Sequence, residues 1–259
     1  MRLLFILVLL AAGPAALAAD PTAGTSAASQ PFSFKRNVSI TLQSGFADTF
    51  QLTLGGMFGD GPAWQNRVTV TASEVLRKGD SVSLSGWNTH DAPSHVNSWT
   101  AGVSYRTRVI ATPKHLLYLA GGVQRWRFPS VMCGAQDWLG AWQLQYQTRV
   151  KRLPVMLTQD SWTIFHSPLK KGSLLHTQLY TEHSLVERHD WKLALRHGPQ
   201  HTYSWNFYGT NGHRVMRYAG FLLLSWHKTT LEAGYRQQVA LQKRIPDNRY
   251  WSVLLSRTF

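Results

Sequence analysis

The sequence is poor in cysteine, in acidic residues and in long apolar runs. Its one cysteine, Cys133, excludes an intrachain disulfide framework and any zinc or iron–sulfur site built only from cysteine. Beyond the N-terminal segment, the most apolar stretch is Tyr218–Trp226. That stretch is about half of the roughly 20 residues that a membrane-spanning helix needs. The composition therefore predicts neither a disulfide-stapled domain nor a helical membrane bundle.

Acidic residues are outnumbered by basic ones. The 259 residues include 13 aspartates and glutamates against 27 lysines and arginines, and the formal net charge is +14. Such a balance suits anionic partners, for example lipid phosphates, acidic saccharides or nucleic acids. We expect no nucleic-acid partner, because the N-terminus indicates export from the cytoplasm.

The N-terminus has the organisation of a secretory signal peptide. Arg2 supplies the positive start, Leu3–Ala12 is an apolar core, and Ala16-Leu17-Ala18 is a small-residue cleavage site. We predict a signal peptide over 1–18, cleaved near Ala18, a flexible segment over 19–33, and one folded domain over 34–259. No second membrane-spanning helix is predicted after the signal, so we expect the mature chain to reside in the cell envelope or outside the cell.

The folded domain alternates between apolar and polar residues with period two. In Asp137–Val150, the apolar and polar side chains separate onto the two faces of a strand but would scatter around a helix. The apolar face comprises Trp138, Trp142, Leu144, Tyr146 and Val150, and the polar face comprises Gln143, Gln145, Gln147 and Arg149. Similar segments recur along the whole chain, and no stretch has a convincing helical period. The pattern predicts an all-β protein.

The predicted strands are long enough to cross a bilayer. They run to roughly 10–13 residues, whereas strands of soluble sheets commonly have about 5–6. In hydrocarbon each unpaired backbone group is costly, so a membrane-spanning sheet must close on itself. We therefore predict a transmembrane antiparallel up-and-down β-barrel of about twelve strands, with fourteen as the alternative.

The turn signals divide the sequence into fourteen segments, but fourteen strands do not place the long connections consistently. The signals are Gly59-Asp60-Gly61-Pro62, Lys78-Gly79-Asp80, Lys171-Gly172, Gly198-Pro199 and Asn211-Gly212. The long connections 90–95, 129–135 and 243–249 should all be external, and fourteen strands cannot place them on one side. Because the alternation is weakest over 38–45 and 154–166, we regard these two segments as the least certain strands.

Closure of the barrel assigns the two faces. The apolar face should contact lipid, with Trp126, Trp138, Trp162, Trp191 and Trp226 forming girdles at the membrane interfaces. The polar face should line a basic lumen that binds or passes anionic or saccharide solutes. The predicted lumen residues are Arg67, Arg106, Arg108, Gln143, Gln145, Arg149, Lys192, Arg196, Arg217 and Arg236. Glu182 and Glu232 are the acidic residues expected among them.

The last strand resembles the closing strand of bacterial outer-membrane barrels. Its residues Trp251, Val253, Leu255 and Phe259 share one face, and the chain ends in phenylalanine. That resemblance implies a location in the bacterial outer membrane and recognition by the barrel-assembly machinery. It also implies contact with outer-membrane lipids and lipopolysaccharide. Arg257 departs from the usual pattern of such strands.

The size and layout are also similar to two groups of small outer-membrane barrels. Leu231-Glu232-Ala233-Gly234-Tyr235 and the segment up to Phe259 resemble YaiO-type barrels associated with exopolysaccharide secretion. Narrow oligogalacturonate- and sialate-type porins are similar in size and in their basic lumen. Neither resemblance transfers a functional residue.

No motif in the sequence assigns an enzyme, a metal site or a cofactor. Histidine and serine lie side by side at 166–167 and 183–184, but neighbours on a strand point to opposite faces. A site assembled across strands from Asp190 with His189, His197 and His201 stays open, as in an envelope lipid or lipopolysaccharide hydrolase. His90, Asp91 and His95 form at most a loose metal site. A structural barrel with a plugged lumen is the remaining alternative to passage of solutes.

Overall fold

A computed structural model describes residues 37–48, 62–92, 96–127, 136–150, 153–167, 171–243 and 245–259. The predicted signal peptide and flexible segment over 1–33 lie outside the described residues, as do His95 and Cys133. Within the described part of the chain, no helix is long and apolar enough to cross a membrane.

Twelve strands make up the described structure. They are β1 Val38–Ala47, β2 Ala63–Ser73, β3 Ser81–Asp91, β4 Val96–Ala111, β5 His115–Arg127, β6 Gln136–Val150, β7 Leu153–His166, β8 Gly172–Glu187, β9 Trp191–Phe207, β10 Thr210–Trp226, β11 Thr229–Ala240 and β12 Asn248–Thr258. Each strand pairs antiparallel with its neighbours in the chain, and β1 pairs with β12. The seam runs from Thr41 opposite Thr258 to Ala47 opposite Ser252. The prediction of a closed antiparallel barrel of twelve strands is confirmed.

The connections separate into two ends of the barrel. One end, here called the loop end, has the strand ends that flank the connections 48–62, 92–95, 128–135, 167–171, 208–209 and 241–247. The other, the terminal end, has Val38, Thr258 and shorter turns such as 188–190 and 227–228. The three long connections that the sequence predicts to be external, around 92–95, 128–135 and 241–247, all lie at the loop end. With twelve strands the inconsistency of fourteen segments disappears.

Two predicted turns lie inside strands, which explains the excess of segments. Gly198-Pro199 lies within β9, where Gly198 has a φ of +155° and the ladder with β8 skips this position. Asn211-Gly212 lies at the start of β10, next to the actual turn at 208–209 and beside an irregular register. Glycine and proline often occur in turns, but here they lie within strands and cause local irregularities in the pairing.

The two segments regarded as least certain are both strands. They are β1 and β7, and β7 lacks clear alternation because its inward face is partly apolar. Met156, Trp162 and Ile164 point inward, whereas Gln159, Ser161 and Thr163 point outward. The strand is therefore partly apolar on the face where the other strands are mostly polar.

Gly198 is a position where a side chain should disrupt the wall. A Cβ atom there would overlap the carbonyl oxygen of Leu179, and a φ of +155° is rarely adopted by other residues. We expect Gly198→Ala to lower the free energy of unfolding by more than about 1 kcal/mol. The measurement is the urea concentration at the midpoint of unfolding. Unfolding is monitored by the shift in electrophoretic mobility between the folded and the unfolded barrel.

The matched control is Gly220→Ala, because a Cβ on Gly220 meets nothing within 4 Å. Gly220 lies on the neighbouring strand β10 and pairs with His197. Equal urea midpoints for the two variants would contradict the strain assigned to Gly198.

Candidate functional site

The pairing between neighbouring strands assigns each regularly paired residue to the inner or the outer face of the barrel. Residues paired across strands share a face, and one row joins Gln43, Arg67, Trp87, Thr100 and Trp126. On this face lie most of the buried polar side chains, including Thr100, Gln143 and Gln145. The opposite face carries exposed large apolar residues, for example Leu84 at 57% and Trp99 at 56% exposure. The first face lines the lumen, and the second faces lipid.

The predicted lumen residues occupy those alternate positions of their strands whose side chains point into the barrel. Eight of them lie along the wall of the lumen: Arg67, Arg106, Gln143, Gln145, Lys192, Arg196, Arg217 and Arg236. The other two lie at the terminal end of the barrel. Arg108 packs against Gly79 in the β2–β3 turn, and the side chain of Arg149 is exposed near the end of β6. These two form part of the rim rather than the wall.

Three guanidinium groups in the lumen are stacked against aromatic rings. The Cζ of Arg106 lies 4.0 Å from the centre of the Tyr118 ring. The Cζ of Arg236 lies 4.6 Å from the Phe221 ring centre. Arg67 is held more loosely, with its Cζ 5.4 Å from the ring centre of Trp87. Stacking fixes the plane of a guanidinium and leaves its N–H edges directed sideways.

Some of those N–H edges are used within the protein and others are not. Arg106 donates from Nη2 to Oε1 of Gln145 at 2.6 Å, and Arg236 donates from Nη1 to Oγ of Ser252 at 2.7 Å. The Nε atoms of Arg67, Arg106 and Arg214 have no hydrogen-bond partner among the described residues. Buried donors of this kind can bind an anion at little cost, because their desolvation is already part of the folded state.

Arg106 also borders a recess at the terminal end of the lumen. The recess has a volume of about 350 Å³ and is lined by Asn37, Ser73, Asp80 and Tyr118 as well as Arg106. Tyr118 and Arg106 thus present an aromatic face and a cation to the same space. The carboxylates of Asp80 and Glu74 line the same recess.

The acidic residues of the lumen are few, and Glu182 and Asp160 both accept hydrogen bonds from neighbouring side chains. Glu182 accepts from Nζ of Lys192 at 2.8 Å and from Nη2 of Arg196 at 3.0 Å. Asp160 accepts from Nε2 of Gln143 at 2.6 Å and from Nε2 of Gln178 at 3.3 Å. The positive charge of Lys192 and Arg196 is therefore partly neutralised, whereas Arg67 and Arg106 have no such ion pair among the described residues.

Sequence reasoning missed several inward polar residues. They are Asp160, Asp137 and Arg214. Asp160 lies in β7, whose alternation is unclear, and Arg214 lies at a bulge where the register with β9 shifts. Its burial, together with that of Val215, puts two successive residues on the inner side. The strand register of the folded barrel was needed to find them.

Among the described residues, the lumen also contains apolar clusters that the sequence did not predict, and two of them have five buried members each. The upper cluster, near the loop end, consists of Trp126, Leu139, Ile164, Leu174 and Phe207, with Trp162 and Tyr208 packed against it. The lower cluster consists of Tyr180, Ala194, Ala219, Phe221 and Leu223, with Met156 beside it. The hydroxyl of Tyr208 donates to Asp137 and anchors the β9–β10 turn to β6. The upper cluster therefore narrows the mouth of the lumen on the side of β5–β9.

The prediction of membrane-interface girdles was partly wrong. Trp126 is 6% exposed and Trp162 packs inside the barrel, so neither contacts lipid. Both residues occupy strand positions that point into the barrel, and their aromatic character did not reveal this. Trp138, Trp191 and Trp226 do lie on the outer face, at 40%, 38% and 57% exposure.

The structure does not assemble the hydrolase site considered from the sequence. His197 lies seven positions after Asp190, which is more than ~20 Å along an extended strand. His197 instead lies on the outer face, where its Nε2 is 3.2 Å from Nε2 of His183. Its Nδ1 lies 2.6 Å from the hydroxyl of Tyr218. The Nε2 of His201 lies 2.9 Å from Nδ1 of His213. No group of three metal-binding side chains occurs among the described residues.

Neither a known protein family nor a curated protein matches this sequence. Solved structures do match the fold. An outer-membrane channel from Pseudomonas putida F1 shares 11% identity over 92% of this chain and 100% of that chain, with a TM-score of 0.59. The NanC porin shares 8% identity over 84% of this chain and 98% of that chain, with a TM-score of 0.54. This chain has the fold of bacterial outer-membrane channels.

A third outer-membrane barrel of the same fold was solved with a ligand. The KdgM porin in complex with disordered oligogalacturonate shares 12% identity over 85% of this chain and 99% of that chain, with a TM-score of 0.51. At such identities the likeness concerns the fold alone.

The residues of the predicted closing-strand signal lie on the outer wall of the barrel. Trp251, Val253, Leu255 and Phe259 alternate outward along β12, and the N–H of Phe259 donates to the carbonyl oxygen of Ile40 at 2.8 Å. Arg257 shares this face, with its Cζ 5.3 Å from the ring centre of Phe259. The aromatic and apolar residues are thus placed where lipid, and any assembly partner in the membrane, can contact them.

Proposed function

We propose that the protein resides in the bacterial outer membrane and passes or binds anionic, saccharide-like solutes in its lumen. The observation that carries this proposal is the set of stacked guanidinium groups inside the barrel, Arg67, Arg106 and Arg236. A confined, basic lumen concentrates anions and repels cations. The guanidinium edges suit carboxylates and phosphates, since two parallel N–H groups can bind two oxygens.

The neutral lining of the lumen suits a sugar as the body of the solute. Gln145, Gln178 and Gln200 line the lumen with amide groups, which pair with hydroxyls. Tyr118, Trp87 and Tyr250 add aromatic rings, each with a guanidinium on one side. The oligogalacturonate complex of the KdgM porin supports this choice, because that ligand is an acidic saccharide held by a barrel of the same fold. Outward movement of an exopolysaccharide, which the YaiO-type resemblance implies, would use the same lining.

The proposal also includes partners on the outer face of the barrel. The outward residues of β12 are the proposed signal for the barrel-assembly machinery, and the apolar outer wall is the proposed contact surface for outer-membrane lipids and lipopolysaccharide.

A structural barrel with a plugged lumen is the second candidate. The observation in its favour is the pair of apolar clusters inside the barrel, above all the upper cluster with the fully buried Phe207 and Leu139. A hydrophobic constriction can stop ions by excluding water. Conductance separates the two candidates.

The test is a planar-bilayer measurement with the purified barrel under a salt gradient. We expect discrete conductance steps and a reversal potential that reports preference for anions, because the lumen carries more arginines than acidic residues. Added oligogalacturonate should block the current at lower concentration than the neutral maltooligosaccharide of equal length. Absence of current would favour the plugged barrel, and preference for cations would contradict the proposed function.

A further inference from the structure

A trough in the outer wall crosses four strands where side chains are small. Gly86 of β3 and Ala101 of β4 lie next to each other in one row of the ladder, between Val68 of β2 and Arg125 of β5. Val103 and Leu84 form part of its floor and sides. The volume of the trough is about 490 Å³, which lies within the roughly 300–1,000 Å³ of small-molecule pockets. Apart from Arg125 and Ser85, the lining residues are apolar.

The trough runs obliquely through the depth of the membrane. Arg125 lies close to Arg127, the last residue of β5 at the loop end. Gly86 and Val68 lie farther from the ends of their own strands, Asp91 and Ala63. Because strands of such barrels are tilted by about 35–45°, a row across the strands also changes depth. The site therefore rests on the proposed residence in the outer membrane, where the longer loops of such barrels are external: one end of the trough then lies among the headgroups of the outer leaflet and the other in the hydrocarbon.

The headgroup end of the trough is marked by cations on the lipid-facing surface. The Cζ of Arg125 lies 5.3 Å from the ring centre of Trp138. Arg127 points the same way two residues later, about 7 Å along the strand. In the described part of the chain, the recorded ion pairs are those of Glu182, so neither arginine has a carboxylate partner there. Outward guanidinium groups at this depth complement an anionic headgroup.

We propose that the trough is a binding site for one lipopolysaccharide molecule of the outer leaflet. A phosphate of its lipid A portion binds Arg125 and Arg127, and one acyl chain lies along Ala101 and Gly86. Charge and shape point to the same ligand, because the cations lie at the headgroup end of an apolar trough. The site does not depend on passage of solutes through the lumen.

Two sets of variants test the two halves of the site. Arg125→Gln with Arg127→Gln removes the proposed phosphate contacts. Gly86→Leu fills the trough, and the wall accepts a Cβ there because the nearest atom, the carbonyl oxygen of Thr100, is 3.9 Å away. The matched control is Arg257→Gln, since Arg257 stacks on Phe259 at the same 5.3 Å but lies at the terminal end.

The measurement is native mass spectrometry of the full barrel in detergent, titrated with bisphosphorylated lipid A and, separately, with the dephosphorylated lipid. We expect one lipid A per barrel in the unmodified protein and in Arg257→Gln. The double arginine variant and Gly86→Leu should each weaken that binding at least about tenfold, as expected when charge-assisted contacts or apolar burial are lost.

Two results would overturn the proposal. One is retention of lipid A by the double arginine variant at the level of Arg257→Gln. The other is equal binding of the phosphorylated and dephosphorylated lipids. The shift in electrophoretic mobility on heating confirms that each variant is folded, so loss of binding is not confused with loss of structure.

Discussion

Replacing Arg67, Arg106 and Arg236 together by glutamine is expected to reduce the anion-to-cation permeability ratio by about tenfold. All three guanidinium groups lie inside the barrel and stack on aromatic rings, so their positive charges are held in fixed positions. Glutamine keeps a polar side chain of moderate length and removes the charge. The change should appear as a shift in the reversal potential measured under a salt gradient.

Two further variants show whether the effect belongs to the lumen. Arg257→Gln removes one positive charge from the outer wall and should leave the reversal potential unchanged. Glu182→Gln should shift it towards stronger anion preference, because Lys192 and Arg196 lose the carboxylate that partly neutralises them. A triple arginine variant with the reversal potential of the unmodified barrel would show that these residues do not set selectivity.

Phe207→Ala is expected to raise the single-channel conductance about twofold or more. Phe207 is 0% exposed, and its ring centre lies 6.4 Å from that of Trp126. Its removal opens water-accessible space at the loop end of the lumen and weakens the upper cluster. The hydrogen-bonded wall should persist, because Phe207 ends β9 and contributes few ladder contacts to it. If the unmodified barrel is plugged, the same substitution should convert a silent protein into a conducting one.

The matched control is Phe165→Ala, which removes the same side chain from the outer face at the same end of the barrel. Phe165 is 57% exposed and should not affect the current. Equal conductance of Phe207→Ala and the unmodified barrel would falsify the assignment of the upper cluster as the constriction.

The face assignment was predictable from sequence wherever the alternation is regular. In β6, Gln143 and Gln145 point inward and Trp142 and Leu144 outward, as expected from period two alone. The same holds for Arg236 in β11 and Trp251 in β12. In these strands the parity of a residue is a local property of the extended backbone, so no tertiary information is needed.

The errors arose where a residue type has two uses. Tryptophan occurs at membrane interfaces, yet Trp126 and Trp162 pack inside the barrel. Glycine followed by proline occurs in turns, yet Gly198 and Pro199 lie inside β9. Residue type alone does not distinguish these cases, because the difference depends on what the neighbouring strand presents at that position.

The sequence by itself determined that this chain forms long amphipathic strands with a basic, glutamine-rich face. The reason is that successive side chains of an extended strand point to opposite faces, so the order of residues fixes what each face carries. Only the tertiary structure decided which charges meet. Glu182 reaches Lys192 and Arg196 through the pairing of β8 with β9, and Arg106 reaches Gln145 across β5. The upper cluster, the trough at Gly86 and the isolation of Arg67 likewise depend on strand register and closure, which bring together residues that lie far apart in the chain.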